Sequence, residues 1–201
     1  MAHRRRPLAI ALALNSAVLV VELAGGVQAS SLSLIVDGVH NLSDEMALGF
    51  LVLAYTLRTG LSGRLLRTAN LFNSIGLLAI SGLLVWRVLD RLSQPVPVLG
   101  VIPVVAGILG AVGNWGVARV LREPAHHDAA IRLAYVHNLG DTLLSLAPVL
   151  AGSLVLVSGR PIFDSLVALV IAAVIVITTI RSVLGSHHEL LWPENVVCGH
   201  E

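Results

Sequence analysis

The stretch SLSLIVDGVHNLSDEMAL, residues 31–48, is apolar enough to lie in a membrane, yet it carries Asp37, His40 and Asp44. A second stretch, IRLAYVHNLGDTLLSL at residues 131–146, repeats its centre: HNLSD at 40–44 returns as HNLGD at 137–141. In a helix, residues four apart project within about 40° of one another, so each imidazole shares a face with its carboxylate. Ionisable groups at membrane depth are costly and mark an ion pathway or a bound ion. Two histidines and two aspartates supply two nitrogens and two oxygens, a full tetrahedral set for a metal such as zinc.

The rest of the chain has the composition of a membrane domain. It has 201 residues, 56% hydrophobic and 12% charged, and a mean hydropathy of +0.86, outside the range of soluble domains. About 20 apolar residues cross a bilayer. Six runs near that length occupy 7–25, 32–57, 69–89, 98–120, 129–150 and 162–183. Their length and lack of strict alternation predict helices rather than a barrel. The expectation is an all-α membrane protein of six transmembrane helices, one domain over 1–185, with a short cytoplasmic tail at 186–201. Pro148 should kink the fifth helix near its outer end. Gly107, Gly110, Gly113 and Gly116 form a row of small residues on the fourth, where another helix can approach closely.

Charge placement fixes the orientation. All 13 basic residues under Lys+Arg are arginines. With the amino terminus inside, only Arg87, Arg91 and Arg160 fall outside, so both termini are expected in the cytoplasm. Arg4, Arg5 and Arg6 before an apolar run resemble a signal peptide. Asn15 and Glu22 sit poorly in a signal core, and an even helix count favours a retained first helix. The net charge of +1 is spread over helix ends and offers no nucleic-acid surface. A single cysteine, Cys198, excludes an internal disulfide. No Gly-rich phosphate loop supports direct coupling to ATP.

With this orientation the second helix runs inward and the fifth outward. His40 then falls level with Asp141, and Asp44 with His137, near the middle of the membrane. The two helices are related by an approximate two-fold axis in the membrane plane, an arrangement of transporters with midplane sites. Two carboxylates offset the charge of a divalent ion in a low dielectric. Copper(I) would want thiolates or thioethers, and Mg²⁺ or Mn²⁺ oxygens alone. Zinc ranks first and cadmium second, with cobalt, nickel and iron(II) behind. Asp37 shares the His40 face and is read as a carboxylate that meets the ion on its way in or orients His40. Asn41 and Asn138 should bond to neighbouring helices. Asn15, Glu22, Asn70, Asn73 and Asn114 are read as interhelical hydrogen-bonding or path-lining residues. Asp164 suits the first turn of the sixth helix. Glu45 has no evident role. His126, His127 and Asp128, and the tail residues His187, His188, Glu189, Cys198, His200 and Glu201, read as solvated.

These motifs resemble the cation diffusion facilitator family of proton-coupled zinc exporters. The resemblance covers all six helices and includes RTANLFNSIGLLAISGLLVWRVLDRLSQPVPVLG at 67–100 and RPIFDSLVALVIA at 160–172. It implies that His40, Asp44, His137 and Asp141 bind the transported ion, with the His-plus-Asp form that resembles the zinc-selective members. Members usually continue into a cytoplasmic metal-binding domain that dimerises; here SHHELLWPENVVCGHE follows instead. The expected protein is a secondary transporter in the bacterial inner membrane. It exports Zn²⁺, its substrate rather than a cofactor, against protons. Its partners are the cation, protons and the bilayer, with a homodimer through the membrane domain as a further expectation. Catalytic residues and bound cofactors are not expected. The alternatives are an intramembrane zinc metalloenzyme and a metal-binding membrane protein without transport.

Overall fold

A computed structural model describes residues 2–56 and 63–185. Among them are seven α-helices and one short 3₁₀ turn, with no strand. They are α1 (Ala2–Ala29), α2 (Leu32–Thr56), α3 (Gly63–Ser93), α4 (Val101–Leu121), α5 (Ala129–Leu144), α6 (Leu146–Ser158) and α7 (Ile162–Gly185). The fifth apolar run is thus two helices end to end, together one candidate span over Ala130–Ser158. Pro148 has no N–H to donate to the carbonyl of Leu144, four residues back, and the helix breaks there. This is the expected kink, but the span continues to Ser158 rather than ending at 150. Gly159 closes it in a left-handed conformation (φ 69°).

Several helices outrun the apolar stretches that marked them, because backbone hydrogen bonding continues through flanking polar residues. Among the described residues, five helical segments are long and apolar enough to cross a membrane. α2 is not one of them, although its 25 residues reach about 37 Å. Asp37, Asp44 and Glu45 lower its apolar character, and Asp44 and Glu45 have hydrogen-bond partners inside the bundle.

α2 packs against α1, α3 and α7, while α4 bridges α1 to α5 and α6. Two apolar clusters bracket a polar middle. Leu8, Leu48, Leu51, Val117, Leu121 and Ile131 close the end where α1 begins. Leu32, Val36, Leu77, Val88, Ile171 and Ile175 join α2, α3 and α7 at the other. The glycine row on α4 admits its neighbours as expected. A Cβ at Gly107 would meet Val149 on α6 at 2.8 Å, and one at Gly113 would meet Val18 on α1 at 2.2 Å.

The turn between α1 and α2 holds the start of α2 in place. Ser30 takes a left-handed conformation (φ 53°), and its carbonyl accepts from the Arg91 guanidinium of α3. Asp164 lies in the first turn of α7 as expected, but its side chain reaches the start of α2. Its carboxylate accepts from Ser31 Oγ, Ser33 Oγ and the backbone N–H of Leu32, each at 2.6 Å. A residue of α7 therefore caps α2, satisfying donors that a helix start leaves free. Asp164→Ala strands those three buried donors, and we expect it to lower stability by about 2 kcal/mol. Asp164→Asn, which keeps an acceptor, should lose about half as much. Thermal unfolding of the purified variants in detergent checks this; equal melting of Asp164→Ala and wild type would contradict the cap.

Candidate metal centre

The polar middle of the bundle brings His40 and Asp44 from α2 together with His137 and Asp141 from α5. One donor atom from each lies within 4.8 Å of all the others. The pairing crosses between the helices: His40 Nε2 is 3.2 Å from Asp141 Oδ1, and His137 Nε2 is 2.7 Å from Asp44 Oδ1. The contacts within each helix are longer, 3.8 Å for His40–Asp44 and 3.6 Å for His137–Asp141. Helical spacing puts each pair on one face, and antiparallel packing sets the faces opposite one another.

These four edges can be compared with a bound ion. Zinc bonds of ~2.0–2.2 Å to nitrogen and oxygen in a tetrahedron require donor–donor edges of about 3.4 Å. The four His–Asp contacts run from 2.7 to 3.8 Å and draw on both oxygens of each carboxylate, while one donor per residue lies within 4.8 Å of the rest, so a bound ion would draw the set slightly inward. Asp44 Oδ2 and Asp141 Oδ2 are buried and have no hydrogen-bond partner among the described residues. A buried carboxylate oxygen without a donor is costly, and a central cation would satisfy both. His40, Asp44 and Asp141 are nearly closed off, whereas the His137 side chain is 47% exposed. The cluster is therefore open on the His137 side. The two rings meet edge to face, with centroids 5.6 Å apart, and leave room between their Nε2 atoms.

Around the cluster lies a second layer of polar side chains. Asp37 is buried at 1% exposure and lies close to Ser145, at the α5–α6 break, and to Glu22 of α1. His40 Nδ1 has no hydrogen-bond partner among the described residues, so it does not donate directly to Asp37. Asn114 Nδ2 on α4 donates to Ser145 Oγ at 3.1 Å. Asn41 Nδ2 donates to Glu22 Oε2 at 2.5 Å. Gly110 leaves the space for that carboxylate, since a Cβ there would lie 2.1 Å from Glu22 Oε1. One amide thus ties α2 to α1, and another ties α4 to the break in the fifth span.

Glu45, unassigned from sequence, accepts from Asn15 Nδ2 at 2.9 Å and from Ser16 Oγ at 2.5 Å, tying α2 to α1. The signal was present: both partners are polar residues in the apolar run that immediately precedes α2. Asn73 bonds Ser43 across α2 and α3. Asn138 differs from the expectation, because its Nδ2 donates to Ala134 O of its own helix, the local alternative open to a short amide. His126 lies in the exposed 3₁₀ turn, and Asp128 caps α5 through Ala130 and Ile131. The Asn70 side chain, residues 57–62 and the tail at 186–201 lie outside what is described.

Comparisons with known proteins bear on the chain as a whole. A family model, the cation efflux transmembrane domain, matches residues 8–191. The chain is 28% identical over 198 residues to the zinc transporter ZitB of Escherichia coli, covering 94% of this chain and 63% of that protein. It is 27% identical over 204 residues to a cadmium, cobalt and zinc/H(+)-K(+) antiporter of Bacillus subtilis, covering 96% and 66%. It is 28% identical over 174 residues to the metal cation efflux system protein CzcD of Cupriavidus metallidurans, covering 83% and 55%. The chain therefore spans about two thirds or less of the length of these relatives. With the family matched along nearly its whole length and its spans apolar, the chain is an integral membrane protein and belongs to the cation efflux transmembrane domain family.

Proposed function

We propose that this chain moves a divalent metal cation, Zn²⁺ first and Cd²⁺ second, out of the cytoplasm in exchange for protons. His40, Asp44, His137 and Asp141 bind the ion in transit. The observation that carries this reading is the crossed pairing of two His/Asp faces from antiparallel spans, with buried carboxylate oxygens left over for a cation. The names of the relatives, which include zinc transporters and a proton-linked antiporter, favour the same substrate class.

Proton coupling follows from the donor chemistry. The two short His–Asp contacts are hydrogen bonds only when a proton lies between each Nε2 and its carboxylate oxygen. A cation at the centre needs those same lone pairs, so its arrival expels protons. When the cluster opens to the cytoplasm the metal displaces protons; when it opens to the outside, protons displace the metal. Alternating access of this kind needs two arrangements of the helices about a fixed site. Residues 1–185 would act as one transport unit, with both ends in the cytoplasm and the protein in the bacterial inner membrane.

The reading fixes a pH dependence. With histidine's reference value near ~6.5, Zn²⁺ affinity should weaken progressively as pH falls through that region and level off above it. The test is uptake of Zn²⁺, Cd²⁺ and Mn²⁺ into proteoliposomes under an imposed pH gradient, with proton release measured on binding. Proton-driven flux of Zn²⁺ and Cd²⁺ but not Mn²⁺ is expected. Zn²⁺ flux that ignores the gradient, or binding without proton release, would overturn the exchange.

A further inference from the structure

Between the end of α4 and the start of α5 lies a cleft of about 180 Å³ that the transport site does not use. Trp115, Ala118, Arg119 and Arg122 line it from α4, and Tyr135 and Leu139 from α5. Residues three and four apart share a helix face, so Trp115, Arg119 and Arg122 form one stripe that ends at the last turn of α4. The cleft is ordered along that stripe. Deeper in the bundle are the Trp115 and Leu139 side chains, both exposed outward, at 54% and 44%. Toward the helix ends are Tyr135 and the two guanidinium groups. Neither arginine makes an ion pair or hydrogen bond among the described residues. Glu123 follows Arg122 in sequence but does not line the cleft.

We propose that this cleft binds one anionic phospholipid, its phosphate held between Arg119 and Arg122 and an acyl chain lying along Trp115 and Leu139. The argument is complementarity of two kinds at once. Paired guanidinium forks match phosphate oxygens, and the apolar floor leading away from them matches the chain joined to that phosphate. A free anion would use only the first. Arginines with flanking aromatic rings at a span end sit at headgroup depth, and basic pockets between spans take anionic headgroups. The cleft lies at the end of the bundle where α1 begins, beside the cluster containing Leu8, Leu121 and Ile131.

The full chain, purified and equilibrated with mixed phosphatidylglycerol and phosphatidylcholine, would be examined by native mass spectrometry. Wild type should retain one phosphatidylglycerol with about thirtyfold preference over phosphatidylcholine, the scale expected of two interfacial arginines. R119Q/R122Q should lose that preference, and R119K/R122K should keep part of it. Both arginines are exposed, so these variants should fold, and a phosphatidylglycerol with brominated chains gives a second readout. It should quench a tryptophan component in wild type that is absent in Trp115→Leu. Preference unchanged in R119Q/R122Q, lipid displaced by inorganic phosphate, or quenching unaffected by Trp115→Leu would each overturn the proposal.

Discussion

Asp44→Ala and Asp141→Ala should each reduce Zn²⁺ transport in everted vesicles to background while leaving the protein folded. Each carboxylate serves two histidines. Asp44 meets His137 at 2.7 Å and His40 at 3.8 Å; Asp141 meets His40 at 3.2 Å and His137 at 3.6 Å. Losing either removes one of four donors and half of the negative charge that offsets the ion. Removing a group that only supports a ligand costs ~10–100-fold in metal affinity, so losing the ligand itself should exceed about 100-fold. His40→Ala and His137→Ala should be less severe for the charge balance but should also remove one proton from the exchange. Metal titration of the purified variants separates this from a folding defect: melting near wild type with Zn²⁺ affinity lost is the expected pair of results. Zinc flux near wild type in either aspartate variant would mean that the ion passes elsewhere.

How much of this could be read beforehand divides along physical lines. The apolar runs revealed the spans because burial in lipid demands long unbroken helices. The position of Pro148 revealed the kink because a missing N–H acts locally. Helix ends were poorly legible: α1, α3 and the fifth span all extend past their apolar cores, since hydropathy does not register hydrogen bonding in polar flanks. Asp164 shows the same gap in another way. Its sequence position suits its own helix, and only tertiary packing reveals that it caps α2. Asn41 and Asn138 occupy equivalent places in the two repeats, yet one bonds across to Glu22 and the other back to Ala134. The repeat fixes which faces converge, while the second layer depends on what each helix packs against: α1 offers a carboxylate to α2.

Gly152→Ala should be the most destabilising of the small substitutions in the bundle, by about 3 kcal/mol, the upper end of ordinary overpacking. Alanine is normally the better helix former, by ~1 kcal/mol, so the packing term must exceed that preference. A Cβ at Gly152 would lie 2.5 Å from Gly100 O, 2.9 Å from Val104 Cγ2 and 3.0 Å from Pro103 Cγ. The first of these is a backbone carbonyl and the last a rigid ring, so neither can swing aside. The contact is reciprocal, since a Cβ at Gly100 would meet Gly152 O at 2.8 Å. Gly82→Ala, where nothing lies within 4 Å, provides the control and should melt at or slightly above wild type. The consequence for the site should be smaller than for stability. Gly152 sits on α6, beyond the break at Ser145, whereas His137 and Asp141 sit on α5 before it. If the break absorbs the displacement of α6, Gly152→Ala will melt early yet bind Zn²⁺ as wild type does when cold. A parallel loss of Zn²⁺ affinity would instead show that α5 and α6 move as one rod, and that the break transmits rather than absorbs motion between the outer end of the span and the metal centre.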